Sequence, residues 1–177
     1  KAELGDGVDR LCLGDAVQGG PQPAETVARL RALACPVVMG NADAWLLSGE
    51  ETGAEAASAQ VREVRAWSLG HLSDDDRAFM AGFQPTVAIA LGGGRRLLCF
   101  HGSPTSNMEG IYSVTPDETV EQILGDVREP GLLCGHTHLQ MLRRLEHSLI
   151  VNPGSIGLPF RDWTPRTECL TWQGAQR

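Results

Sequence analysis

Four short apolar runs in this chain stop in a similar way, each giving way directly or after one glycine to a metal-ligand type of side chain. LCLGD ends at Asp15, VVMGN at Asn41, LLCFHG carries His101, and LLCGHTH carries His136 and His138. A brief apolar run closed by a turn signal is the mark of a buried strand. In open α/β sheets the loops beyond the carboxyl ends of the strands line one crevice. The repetition therefore predicts an α/β fold in which a carboxylate, an amide oxygen and three imidazoles converge.

The segments between these runs support that class. Val27, Leu30 and Leu33 recur at helical spacing within 24–34, and 54–67 is rich in Ala, Glu, Gln and Arg. Ser73 before Asp74, Asp75 and Asp76 opens a short helix that ends near Gly82. Thr115, as N-cap, and Pro116, at the first helical position, open another, with Glu118 set for a capping box; Val120, Ile123 and Leu124 form its apolar stripe and Gly125 its end. Strands are expected at 8–13, 36–39, 86–91, 96–100, 131–134, 139–145, 148–151 and 167–172, with Gly92, Gly93 and Gly94 as a hairpin turn. The first half alternates strand and helix and the second half contains more hairpins. The expectation is a layered α/β fold with two mixed sheets between helices, in one domain spanning 1–177.

Composition narrows the partners. A net charge of −7 disfavours broad nucleic-acid binding, which needs a basic surface, but leaves a phosphate substrate open where bound cations supply the positive charge. No apolar run approaches the roughly 20 residues of a membrane span. The five cysteines form no CxxC pair and are odd in number, so they read as reduced thiols packed as small hydrophobes, with a cytoplasmic location as the expectation.

Taken singly, the candidate ligands are ordinary. Gly-Asp and Gly-Asn are common after strands, a single histidine is more often a satisfied core residue, and HxH is a modest metal signal. Their joint occurrence in order, each after an apolar run, gives the pattern its weight. His71 and His147 fall outside it and read as loop and turn residues. Oxygen and imidazole donors without thiolates suit Mn²⁺, Zn²⁺ or Fe²⁺. If the loop holding His136, Thr137 and His138 is extended, the two imidazoles can diverge to different ions.

The series GDAVQGG, GNAD, HGSP and GHTH is similar to the motif series of the calcineurin-like metallophosphoesterases. HGSPTSNMEGIY and NPGSIGLPFRD resemble features of the small single-domain prokaryotic members. The resemblance runs from about Val8 to Asp162. It implies a four-layer αββα sandwich of two mixed sheets flanked by helices. It also implies two divalent ions, manganese first, with iron, zinc or nickel as alternatives. By motif match Asp15 would bridge the ions, Asn41, His101 and His136 would complete one site, and His138 would bind the other ion. The family supplies the remaining ligands from a DxH motif on a first strand. No DxH precedes Val8, so the domain is expected to be N-terminally incomplete, without its first strand and helix.

The implied activity is hydrolysis of small phosphate esters, phosphodiesters foremost, by a metal-bound hydroxide. Asn41 and His101 are the residues expected to act in catalysis as well as ligation, and Arg161 is expected to contact phosphate. Ala42 stands where many relatives carry a histidine thought to protonate the leaving group, which weakens the case for poor leaving groups. The alternatives are an inactive scaffold on the same fold and a nuclease. The acidic balance and the lack of an aromatic-basic patch speak against the nuclease. Oligomeric state is left open.

Overall fold

The computed structural model describes residues 10–49 and 58–160. The expected strand at 167–172, together with Arg161, Trp163, Cys169 and Trp172, lies outside these residues, as do the start of the 8–13 strand and of the 54–67 helix. The described elements run α1 (Pro23–Leu33), α2 (Asn41–Ser48), α3 (Ala59–Gly70), α4 (Asp74–Ala81), β1 (Thr86–Gly92), β2 (Arg95–Phe100), α5 (Asp117–Leu124), β3 (Gly131–Leu133), β4 (Gln140–Arg144) and β5 (Leu149–Pro153). Among them, no helix is long and apolar enough to cross a membrane.

The five strands form one mixed sheet in the order β1-β2-β3-β5-β4. β1 and β2 are an antiparallel hairpin whose turn places Gly93 and Gly94 at φ 59° and 73°, the left-handed pair that matches strand twist. β2, β3 and β5 are parallel neighbours, and β4 closes the edge antiparallel to β5. The strands expected at 8–13 and 36–39 appear only as isolated parallel bridges, Cys12 to Val37 and Val38 to Gln84. Pro36 cannot donate to a ladder and the helix α2 begins at Asn41, so little length is left for pairing.

Side-chain alternation shows how the layers stack. In β2, Leu98 and Phe100 face a core shared with Val120 and Leu124 of α5, Leu132 of β3 and Ile150 of β5. Their neighbours Leu97 and Cys99 face the opposite way, onto Leu11, Leu13 and Val38. Cys12 and Val37 in turn point away from the sheet, into a third core built with Val27 and Leu30 of α1, Leu46 of α2 and Met80 of α4. The order is thus α5, five-stranded sheet, bridged segments, and the group α1, α2 and α4. Period-2 alternation in both inner layers gives each face its own partner. Phe100, Leu132 and Ile150 are fully buried. Each contributes roughly 1.5–3 kcal/mol of transfer free energy.

Local chemistry explains the helix boundaries. Ser73 Oγ accepts the Asp76 N–H and Asp76 Oδ2 accepts the Ser73 N–H, each at 3.1 Å, a capping box at the expected helix start. α5 begins later than Thr115 predicts. Pro116 is the N-cap, without a side-chain cap, and the Thr115 hydroxyl instead accepts the Tyr112 N–H. α2 was not expected at all, because Gly40-Asn41 reads as a break. The chain breaks and enters a helix at the same point, with Asn41 as the first helical residue.

Candidate metal centre

The fold delivers the candidate ligands in pairs. Because Cys99 of β2 is in register with Leu133 of β3, the chains leave the sheet side by side and the Gly135 N–H bonds the His101 carbonyl at 2.8 Å. The parallel bridge from Cys12 to Val37 does the same for the turns carrying Asp15 and Asn41. Two layers therefore point their carboxyl ends into one crevice, as the sequence pattern predicts.

Close approach makes the pairing tight. A Cβ on Gly14 would lie 2.6 Å from the Gly40 nitrogen, and one on Gly40 would lie 2.1 Å from Asp15 Oδ1. Gly14 also sits at φ 95°. Gly40 does not need its conformational freedom, since φ −78° and ψ 164° are open to any residue. It is glycine because another backbone occupies the space.

At the centre, Asp15, His101 and His136 place one ligand atom each within 4.8 Å of one another. His101 Nε2 lies 3.2 Å from Asp15 Oδ2 and 3.1 Å from Asn41 Oδ1. Asn41 Oδ1 is also 2.9 Å from His136 Nδ1. The other nitrogen of His101, Nδ1, donates to the Leu13 carbonyl at 2.5 Å, which fixes the tautomer. In the neutral ring, Nε2 then presents a lone pair toward two oxygen acceptors. A proton on Nε2 or a cation between the members can hold these atoms together, and this donor set of oxygens and imidazoles suits a divalent metal.

The electrostatics agree. Burial would raise the Asp15 carboxyl, but the hydrogen bond and charge of His101, with the Ala42 N–H, hold it below the usual carboxylate range. Burial would lower His101, but Asp15 and the Leu13 carbonyl raise it above its ordinary value. His136 is lowered, first by burial and then by the charge of His101. The Asp15 carboxylate thus favours the charged form of His101, while burial and the His101 charge favour the neutral form of His136.

Asp15, His136 and His138 have φ of 53°, 65° and 61°. Among the described residues the one other non-glycine with positive φ is Ala34, at the end of α1. Left-handed backbone costs roughly 1–2 kcal/mol per such residue, so its concentration at candidate ligands marks a functional turn. The loop between the two histidines is therefore sharply turned and not extended. Thr137 is buried between them, where its hydroxyl accepts Asn152 Nδ2 at 3.1 Å; the same amide group donates to the Gly135 carbonyl at 2.7 Å. His138 stays outside the cluster. Its Nδ1 donates to the Leu158 carbonyl at 2.9 Å and its ring stacks on Phe160, leaving Nε2 free to ligate.

His71 caps α3, bonded to the Trp67 carbonyl, and exposed His147 pairs with Glu146, so neither joins the site. Arg161 lies outside the described residues. Burial pushes the Cys12 thiol up to about 11 and those of Cys99 and Cys134 to about 12, the behaviour of inert packed thiols. All four cysteines among the described residues are free.

Two residues emerge that the strand-end pattern does not mark. Asn152 reads only as the start of a turn, yet it is buried and holds the turn carrying His136. Asp43 is wholly buried, and its carboxylate accepts the Asp15 N–H at 2.7 Å and the Ala16 N–H at 3.1 Å. Burial, then the charge of Asp15, pushes its pKa up to about 6. A sequence signal existed: an acid two residues past the candidate ligand Asn41 in an otherwise apolar stretch.

Comparison with known proteins places this geometry. No curated protein matches the chain. Among solved structures it is similar to the hypothetical protein PH1004 from Pyrococcus horikoshii OT3, with TM-score 0.72 and 19% identity over 85% of this chain and 64% of that one. It is also similar to a metallophosphoesterase from Sphaerobacter thermophilus, with TM-score 0.64 and 24% identity over 88% of this chain and 68% of that one. These likenesses establish the α/β fold, and the chain spans less than two thirds of the Pyrococcus protein. The model of the calcineurin-like phosphoesterase superfamily domain matches residues 6–173, a stretch that contains every strand end described above. On that match, the chain belongs to the calcineurin-like phosphoesterase superfamily.

Proposed function

We propose that this protein hydrolyses small phosphate esters, phosphodiesters foremost, with divalent metal held by Asp15, Asn41, His101 and His136 and a second ion reached by His138. The observation that carries the reading is the meeting of His101 Nε2, Asp15 Oδ2 and Asn41 Oδ1, an imidazole nitrogen and two oxygens turned to one point. Bound metal would supply Lewis acidity toward phosphoryl oxygen and an activated water as nucleophile. Manganese is the first choice for this donor set, with iron, zinc and nickel as alternatives.

The chain's own groups have distinct tasks. Asp15 contributes the negative charge that draws cations in, and its Oδ1 is anchored by the Ala42 N–H at 2.8 Å. His101, through its bond to the Leu13 carbonyl, keeps Nε2 directed at the centre. Asn41 turns its carbonyl oxygen to both histidines, which leaves its Nδ2 as a donor for a phosphoryl oxygen. Ala42 cannot donate a proton to a departing alkoxide. A diester with a good leaving group, carrying one negative charge, fits that lack better than a monoester. Arg161 is proposed as a further phosphate contact.

The test is manganese-dependent hydrolysis of bis(p-nitrophenyl) phosphate by the wild type, Asp15→Ala and His136→Ala. Activity in the wild type that is lost in both variants supports the proposal. Activity retained in both sinks it.

A further inference from the structure

Asp43 is a buried carboxylate with no ion pair among the described residues, a costly arrangement unless its oxygens are fully used. They are used by one short turn. Asp43 Oδ2 accepts the N–H of Asp15 at 2.7 Å and of Gly40 at 3.3 Å, and Oδ1 accepts the N–H of Ala16 at 3.1 Å. The consecutive amides of Asp15 and Ala16 converge there because Gly14 and Asp15 are both left-handed, at φ 95° and 53°. Such convergent amides make an anion-binding nest. Here the anion comes from the protein's own helix α2.

The contact is reciprocal. Asp15 Oδ1 accepts the Ala42 N–H at 2.8 Å, at the start of α2, while Asp43, one residue further on, accepts from the backbone of Asp15. Each carboxylate anchors the other's segment. The Asp43 carboxylate points into the turn backbone, while Asp15 Oδ2 and His101 Nε2 face the centre.

We propose that Asp43 is the positioning residue of the metal centre: its carboxylate fills the nest formed by the Asp15 and Ala16 amides and so holds the Asp15 side chain in the orientation that binds metal. The inference rests on the metal reading of Asp15. It assigns a purpose to an acid that lacks the histidine many relatives place before it.

Asp43→Asn is nearly the same size but cannot replace it. Whichever way its amide is turned, the NH₂ faces the amide of Asp15 or of Ala16. Leu46→Ala is the control, since Leu46 is fully buried in the same helix and is not in the turn. In calorimetric Mn²⁺ titrations the dissociation constant should rise about 10–100-fold in Asp43→Asn, as for other residues that support metal ligands. It should be unchanged in Leu46→Ala, although both variants melt earlier. An unchanged constant in Asp43→Asn, or an equal loss in Leu46→Ala, overturns the proposal.

If Asp43→Asn fails to fold, hydrogen exchange on the metal-free wild type decides the matter. The Asp15 and Ala16 amides should exchange only with global unfolding. Exchange as fast as that of the exposed Gly19 amide would refute the latch. A wild type that binds no Mn²⁺ would defeat the functional proposal, and exchange would still decide whether Asp43 holds the turn.

Discussion

Gly40→Ala tests how closely the two turns of the centre approach. The backbone at Gly40 is ordinary, so alanine meets no conformational penalty there and only the added methyl matters. That carbon would stand 2.1 Å from Asp15 Oδ1 and 2.2 Å from Asp15 N. Since non-bonded contacts are normally about 3.5 Å or more, something must give by about 1 Å. One of the clashing atoms is main chain, held in place by Asp43, so a rotamer change alone cannot relieve the clash. Overpacking of this kind costs about 1–3 kcal/mol. For a chain of this size each kcal/mol lowers Tm by about 2–4 °C. The Asp15 carboxylate is displaced as well, so Mn²⁺ affinity should drop with stability. Circular dichroism melts in EDTA and Mn²⁺ titrations at 25 °C read the two effects separately. A variant that melts with the wild type and binds Mn²⁺ equally well would show that the two turns are not in contact.

Asn152→Ala should cost about 1–3 kcal/mol, because the Gly135 carbonyl and the Thr137 hydroxyl lose a buried donor, and it should also weaken Mn²⁺ binding through the turn that carries His136; urea unfolding and metal titration check both. Leu132→Ala removes a fully buried side chain from the face packed on α5 and should cost about 2–5 kcal/mol with Mn²⁺ affinity unchanged, in the same two assays. Metal binding should also displace a proton. His101 is raised above its ordinary value, so below that raised pKa the ring carries a proton that the ion must expel. Mn²⁺ affinity should therefore climb as pH rises from 5.5 toward the His101 pKa and flatten above it. The lowered Asp15 carboxyl contributes no change in that range. Calorimetry in buffers of different ionisation enthalpy would count the proton, and an affinity independent of pH would contradict the assignment.

Much of the centre is legible in the sequence because strand ends and ligand types are local signals. Asp15, Asn41, His101 and His136 follow from runs of five to seven residues, and parallel pairing then brings them together. Two features escaped because they depend on contacts distant in sequence. α2 was hidden by Gly40-Asn41, which reads as a break. The glycine is dictated by Asp15, 25 residues earlier in the numbering, and not by a local turn. Asp43 and Asn152 look like loop polars until the fold buries them against backbone amides and carbonyls. The bridges at Cys12, Val37, Val38 and Gln84 pair over too few residues to count as strands, yet their alternation builds the same inner layer the sequence predicts. The left-handed backbone at His136 and His138 is only weakly signalled, since histidine is enriched there among non-glycine residues but rarely adopts it.

The most direct test of the central claim is anomalous diffraction from crystals of the protein soaked in Mn²⁺. The account predicts a manganese peak bonded to the Asp15 carboxylate, Asn41 Oδ1, His101 Nε2 and the His136 ring. An empty cage closed by direct contact between Asp15 and His101, or manganese bound elsewhere, would contradict it.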